Sequence, residues 1–77
     1  MTPPDRILFV SHLRRRARAV ERELQAAIDE DRGGEGLAPA NFRLLSSYRV
    51  PDWARGVRVE RAGWFSWAVV ATEEKGH

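Results

Sequence analysis

Apolar residues fall at Val10, Leu13, Ala17, Val20, Leu24, Ala27 and Ile28, at spacings of three and four. With Phe9 they span an arc roughly 100° wide at about 100° per residue, the stripe of a helix packed on one core. Thr2-Pro3-Pro4-Asp5 supplies a start signal: a capping side chain, prolines in the first turn, and an acid three residues after the cap. The pattern therefore predicts a long N-terminal helix over 3–31. Ile7 and Leu8 project off the stripe, so the competing reading is a short N-terminal strand over 6–10, with Ser11 capping a helix from His12.

Gly33-Gly34-Glu35-Gly36 ends the helix, and a flexible loop is expected over 32–41. Phe42, Leu44, Tyr48 and Val50 alternate with Arg43, Ser47 and Arg49, which predicts a half-buried strand over 42–50. A short helix headed by Pro39 competes with it. Alternation resumes at Val57–Glu60 after Pro51-Asp52, and the aromatic and β-branched run from Trp64 to Thr72 reads as the return strand of a hairpin about Gly63. Residues 73–77 read as a frayed tail. The expected fold is a single α+β domain over 1–77, one long helix on a three-stranded antiparallel sheet drawn from 42–72, in the order αβββ.

A 77-residue chain buries only about 60% of the surface its unfolded form exposes, and cores of this size supply about 3–5 kcal/mol. There is no Cys to add a disulfide, and two His without Cys cannot build the usual zinc sites. No metal and no cofactor are expected. The apolar run Ile7–Val10 is far shorter than the roughly 18–20 residues of a membrane span, so the expectation is a cytosolic protein with no membrane partner.

Charge sharpens the picture. The net charge is +2, and every basic side chain except Lys75 is Arg. That bias has two readings, phosphate or carboxylate recognition and the codon usage of a GC-rich genome. Residues 12–22 hold five Arg and one Glu, whereas 23–37 hold five acids and one Arg. Arg14, Arg18 and Arg22 form an i, i+4, i+8 column with Arg15 beside it. Like charges at that spacing cost one another about 0.2–0.5 kcal/mol, and Asp29, Glu30 and Asp31 oppose the helix dipole. The column is a candidate phosphate or acidic-protein contact, against the alternative of an ordinary solvated face.

The predicted sheet carries Arg43, Arg49, Arg55, Arg58 and Arg61 among Tyr48, Trp53, Trp64, Phe65 and Trp67. Cations with flat rings suit single-stranded nucleic acid, and Trp, Tyr and Arg also dominate protein interfaces. If Trp64–Trp67 is strand, Trp64 faces one way and Phe65 and Trp67 the other. One helix covers one face, so an aromatic would be exposed or covered by a partner. The candidate partner-binding residues are Arg14, Arg15, Arg18, Arg22, Arg43, Arg49, Arg58, Arg61, Trp53, Trp64, Phe65 and Trp67.

Enzymatic signals are weak. Ser11 and His12 are neighbours and diverge on a helix, and His12 reads as a surface residue. Tyr48, Arg49, Glu60, Arg61 and His77 are the residue types of a small ribonuclease, and no phosphate-binding glycine motif follows a strand. The first reading is a non-enzymatic inhibitor or adaptor, of the kind phages direct at nucleic-acid machinery, engaging a macromolecule that is protein before nucleic acid, with a homodimer possible. Direct nucleic-acid binding ranks second and a ribonuclease toxin third.

Overall fold

A computed structural model describes residues 6–33 and 36–74. It contains strand β1 (Arg6–Ser11), helix α1 (Arg14–Arg32), helix α2 (Pro39–Ser47), strand β2 (Gly56–Arg61) and strand β3 (Trp67–Thr72). The strands form one antiparallel sheet in the order β1-β3-β2. The expected class, a helix on a three-stranded antiparallel sheet, is the one observed. Two of its elements differ in place.

The N-terminal segment is the strand, not the first turns of the helix. Ile7 and Leu8 do not fit the helical stripe because they belong to β1, paired with Val70 and its neighbours some sixty residues away in sequence. Leu13 is the N-cap residue of α1, in extended conformation. The Ser11 hydroxyl accepts a bond from the Leu13 N–H at 3.1 Å and so shapes the turn rather than capping the helix. The residues of the proposed capping box at 2–5 lie outside the described residues. From Ala17 onward the predicted stripe holds: Ala17, Val20, Leu24, Ala27 and Ile28 are buried.

The strand expected at 42–50 is α2, with Pro39 in its first turn. The period-two reading passed over Leu45. Leu44, Leu45 and Tyr48 pack together against the core at helical spacing, while Phe42, which set the apparent alternation, is exposed. The acidic end of α1 has a structural use here: Asn41 Nδ2 of α2 donates to the Glu30 carboxylate. Arg32 donates to the Ala54 carbonyl at 3.1 Å, tying the helix end to the approach of β2.

Strand β3 is central, and Ala68 through Thr72 are buried without alternation: on the side away from the helices, the small Ala68 and Val70 lie between Val10 and Glu60 and between Ile7 and Arg58 of the flanking strands. Val69 shares one core cluster with Val20, Leu24 and Ile28 of α1 and Val57 of β2. Tyr48 sets its ring edge-on to Phe9 of β1, centroids 5.9 Å apart. Both helices therefore lie on one side of the sheet. The other side presents Ile7 and Val10 of β1, Ala68 and Val70 of β3, and the Arg58–Glu60 ion pair of β2.

The two sheet edges are treated differently. On β2, the outward N–H of Val57 donates to Gln25 Oε1 at 3.0 Å and that of Val59 to Glu21 Oε2 at 3.1 Å. Gln25 Nε2 returns a bond to the Arg55 carbonyl at 3.3 Å. Four residues apart on α1, Glu21 and Gln25 meet groups that a neighbouring strand would otherwise take.

Candidate functional site

The hairpin between β2 and β3 turns through residues 62–66, closed by an Ala62 N–H bond to the Ser66 carbonyl at 2.9 Å. β3 begins only at Trp67, so the expected in-and-out display of Trp64, Phe65 and Trp67 along one strand does not occur. Trp64 and Phe65 sit at the loop tip instead, 85% and 78% exposed. Trp67 is half-buried on the helix side. The sheet face opposite the helices is aliphatic and ionic rather than aromatic.

The tip is held by side chains from its base. Arg61, the last residue of β2, donates from Nε to the Gly63 carbonyl at 3.2 Å and from Nη2 to the Trp64 carbonyl at 3.1 Å. His12, in the short turn before α1, lies with Nδ1 2.9 Å from the Phe65 carbonyl, so the Nδ1–H tautomer is the donor. Three successive carbonyls are thus engaged by side chains from the base of the loop, while its two rings face solvent. The Arg14 guanidinium stands over the Trp67 indole at 5.0 Å from its centroid, and that of Arg61 approaches the same ring at 6.0 Å. A shallow concavity lined by Arg61, Ala62, Gly63 and Trp64 lies alongside.

The first turns of α1 surround this base with positive charge. Among the described residues no acid is within ion-pair distance of Arg14, Arg15, Arg18 or Arg61. The first turn of the helix holds no acid and three arginines at the positive pole of its dipole. Removing those charges would relieve repulsion, so they are present despite a cost to the helix.

Five of the twelve candidate residues converge here: Arg14, Arg61, Trp64, Phe65 and Trp67. Arg15 and Arg18 flank them on α1, and Arg22 lies about 12 Å along the axis from Arg14 at 1.5 Å rise per residue. Arg58 is on the open sheet face, paired with Glu60 at 2.6 Å. Trp53 is half-buried in the turn before β2, and Arg43 is exposed on α2. Of the ribonuclease-type set, Tyr48 packs on the helix side and Glu60 on the opposite face, while His77 lies outside the described residues.

Arg49 has another explanation. It follows α2 with φ 52°, the left-handed region that favours glycine. Its N–H bonds the Ser46 carbonyl at 3.1 Å, and the Val50 N–H bonds that of Leu45 at 3.0 Å, a Schellman ending with arginine where glycine is usual. Arg49→Gly is expected to stabilise the fold by about 0.5–1 kcal/mol, the steric relief outweighing the added unfolded-state entropy. A lower melting temperature for this variant would show that the Arg49 side chain contributes more than its backbone conformation costs.

Sequence reasoning named the aromatic and arginine members of the site but missed His12 as a brace, because its partner is 53 residues away and is a main-chain carbonyl. Among the described residues, no three His, Cys, Asp or Glu side chains group as a metal site would need, and no helix is long and apolar enough to cross a membrane. Compared with protein-family models, with curated proteins and with solved structures, the chain shows no match.

Proposed function

We propose that the chain is a non-enzymatic binding protein, an inhibitor or adaptor, that docks on an acidic protein surface by seating Trp64 and Phe65 in an apolar recess. The observation that supports this most is the braced tip: two large rings are exposed while the carbonyls of Gly63, Trp64 and Phe65 are held by Arg61 and His12. A loop already fixed in shape loses little conformational entropy on binding. Trp at the centre of an interface is the residue type whose removal costs most. The arginines at its base, with no acid partner among the described residues, would steer the tip toward a carboxylate-lined rim.

The test is affinity capture from the source lysate with the parent chain and with Trp64→Ala/Phe65→Ala in parallel. A stoichiometric protein retained by the parent and lost with the variant supports the reading. Capture that ignores the tip substitution, or steeply salt-dependent retention of nucleic acid alone, would overturn it.

A further inference from the structure

The outer edge of β1 differs from that of β2. Gln25 and Glu21 occupy the outward N–H groups of β2. Among the described residues, nothing is bonded to the outer edge of β1. Half the backbone groups of an edge strand point away from its neighbour, and an uncovered edge is a template for another strand. β1 carries neither Pro nor Gly, and its one charge, Arg6, is at its end.

The pattern of β1 also selects the strand that fits it. The bulge between Ile7 and Phe9 lets Ile7 pair with Val70 and Val10 with Ala68, which puts both Ile7 and Val10 on the open face although they are three residues apart. Leu8 and Phe9 pack toward the core on the helix side. Arg6 and Ser11 oppose Ala71 and Trp67, also on that side. From Arg6 to Ser11 the order is helix side, open, helix side, helix side, open, helix side. This order reads the same in both directions about the Leu8–Phe9 midpoint.

We infer that the β1 edge binds a second copy of this chain, with the two β1 strands antiparallel about a two-fold axis at Leu8–Phe9, so that the two sheets join into one of six strands. In this register Ile7 opposes the other copy's Val10, Leu8 opposes Phe9, and Arg6 opposes Ser11. Every pair shares a face, and no like charges meet. A parallel alignment in register would set Arg6 against Arg6, and a shift by one residue would put open-face residues opposite helix-side ones. Because both strands carry the bulge at the axis, they pair residue for residue there. Ile7 and Val10, now 59% and 51% exposed, would cover each other across the joint. Two-fold dimers with an isologous interface are the commonest homo-oligomers.

Sedimentation equilibrium from about 1 μM to about 1 mM should show a monomer–dimer equilibrium. A monomer throughout would overturn the proposal. Ile7→Lys/Val10→Lys sets lysine against lysine in place of two apolar pairs and should weaken association roughly tenfold or more. Trp64→Ala/Phe65→Ala should leave it unchanged, which separates this interface from the tip. The absence of cysteine allows a direct test of register. Opposed Cα atoms are about 4.5–5.5 Å apart, within disulfide reach, whereas Ile7 of one copy and Ile7 of the other lie about 10 Å apart along the strands. Oxidising a mixture of Ile7→Cys and Val10→Cys proteins should therefore give a covalent dimer that neither gives alone. Failure of the mixture to cross-link, or equal cross-linking by Ile7→Cys alone, would overturn the register even if the chain dimerises. Thermal melts of each variant check that the folded state is retained.

Discussion

Leu24→Ala is expected to bring the protein close to its unfolding midpoint at room temperature. Leu24 is fully buried where α1 meets Val57 and Val69. Removing its isobutyl group loses transfer free energy and leaves a cavity, together about 2–5 kcal/mol. A core of this size offers about 3–5 kcal/mol in all, and with no disulfide there is no covalent reserve. A loss of about 3 kcal/mol corresponds to a drop in melting temperature of roughly 12–24 °C for a domain of this length. Circular dichroism during thermal or urea unfolding measures it. A drop of only a few degrees would mean that α1 does not anchor the core as the packing indicates, or that another interaction dominates stability.

The tip behaves in the opposite way. Trp64→Ala/Phe65→Ala removes two rings that contact little of the folded chain, so the melting temperature should stay within about 2–3 °C of the parent, in keeping with substitutions at exposed positions. Partner binding should fall by at least about 2 kcal/mol, more than 25-fold, if the rings are the anchors of the interface. His12→Ala gives an intermediate case. It leaves both rings but frees the Phe65 carbonyl, so a smaller loss of affinity with unaltered rings would measure what bracing contributes. If binding is unchanged in the double variant, the tip is not the docking element.

The contrast reflects what local pattern can encode. The stripe Ala17–Ile28 was legible because five buried positions repeat at helical spacing on a single element, and the β2–β3 hairpin because its strands are adjacent in sequence. β1 was legible as the competing strand over 6–10, because Ile7 and Leu8 did not fit the helix, but not its partner: the strand it pairs with is β3, near the other end of the chain. At α2, an exposed Phe42 imitated alternation, while adjacent Leu44 and Leu45, both packed on the core, were the contrary signal. The composition of the candidate site was readable and its geometry was not. Whether Trp64 belongs to a strand or to a loop depends on where hairpin pairing stops, at Arg61 and Trp67, and neither residue type dictates that limit. The braces are bonds to main-chain carbonyls, which leave no trace in side-chain pattern.

On the helix Glu21 sits among the arginines and Gln25 one turn beyond it; against β2 they act as a lateral stop on the sheet. A sheet with two available edges can add copies at both ends, and its stoichiometry has no upper bound. With one edge occupied by its own helix, strand addition can proceed only from β1, and two chains exhaust it. The same two side chains that help hold α1 on the sheet thus separate a finite assembly from a fibre. Substituting them would be felt less in how strongly copies associate than in whether association ends.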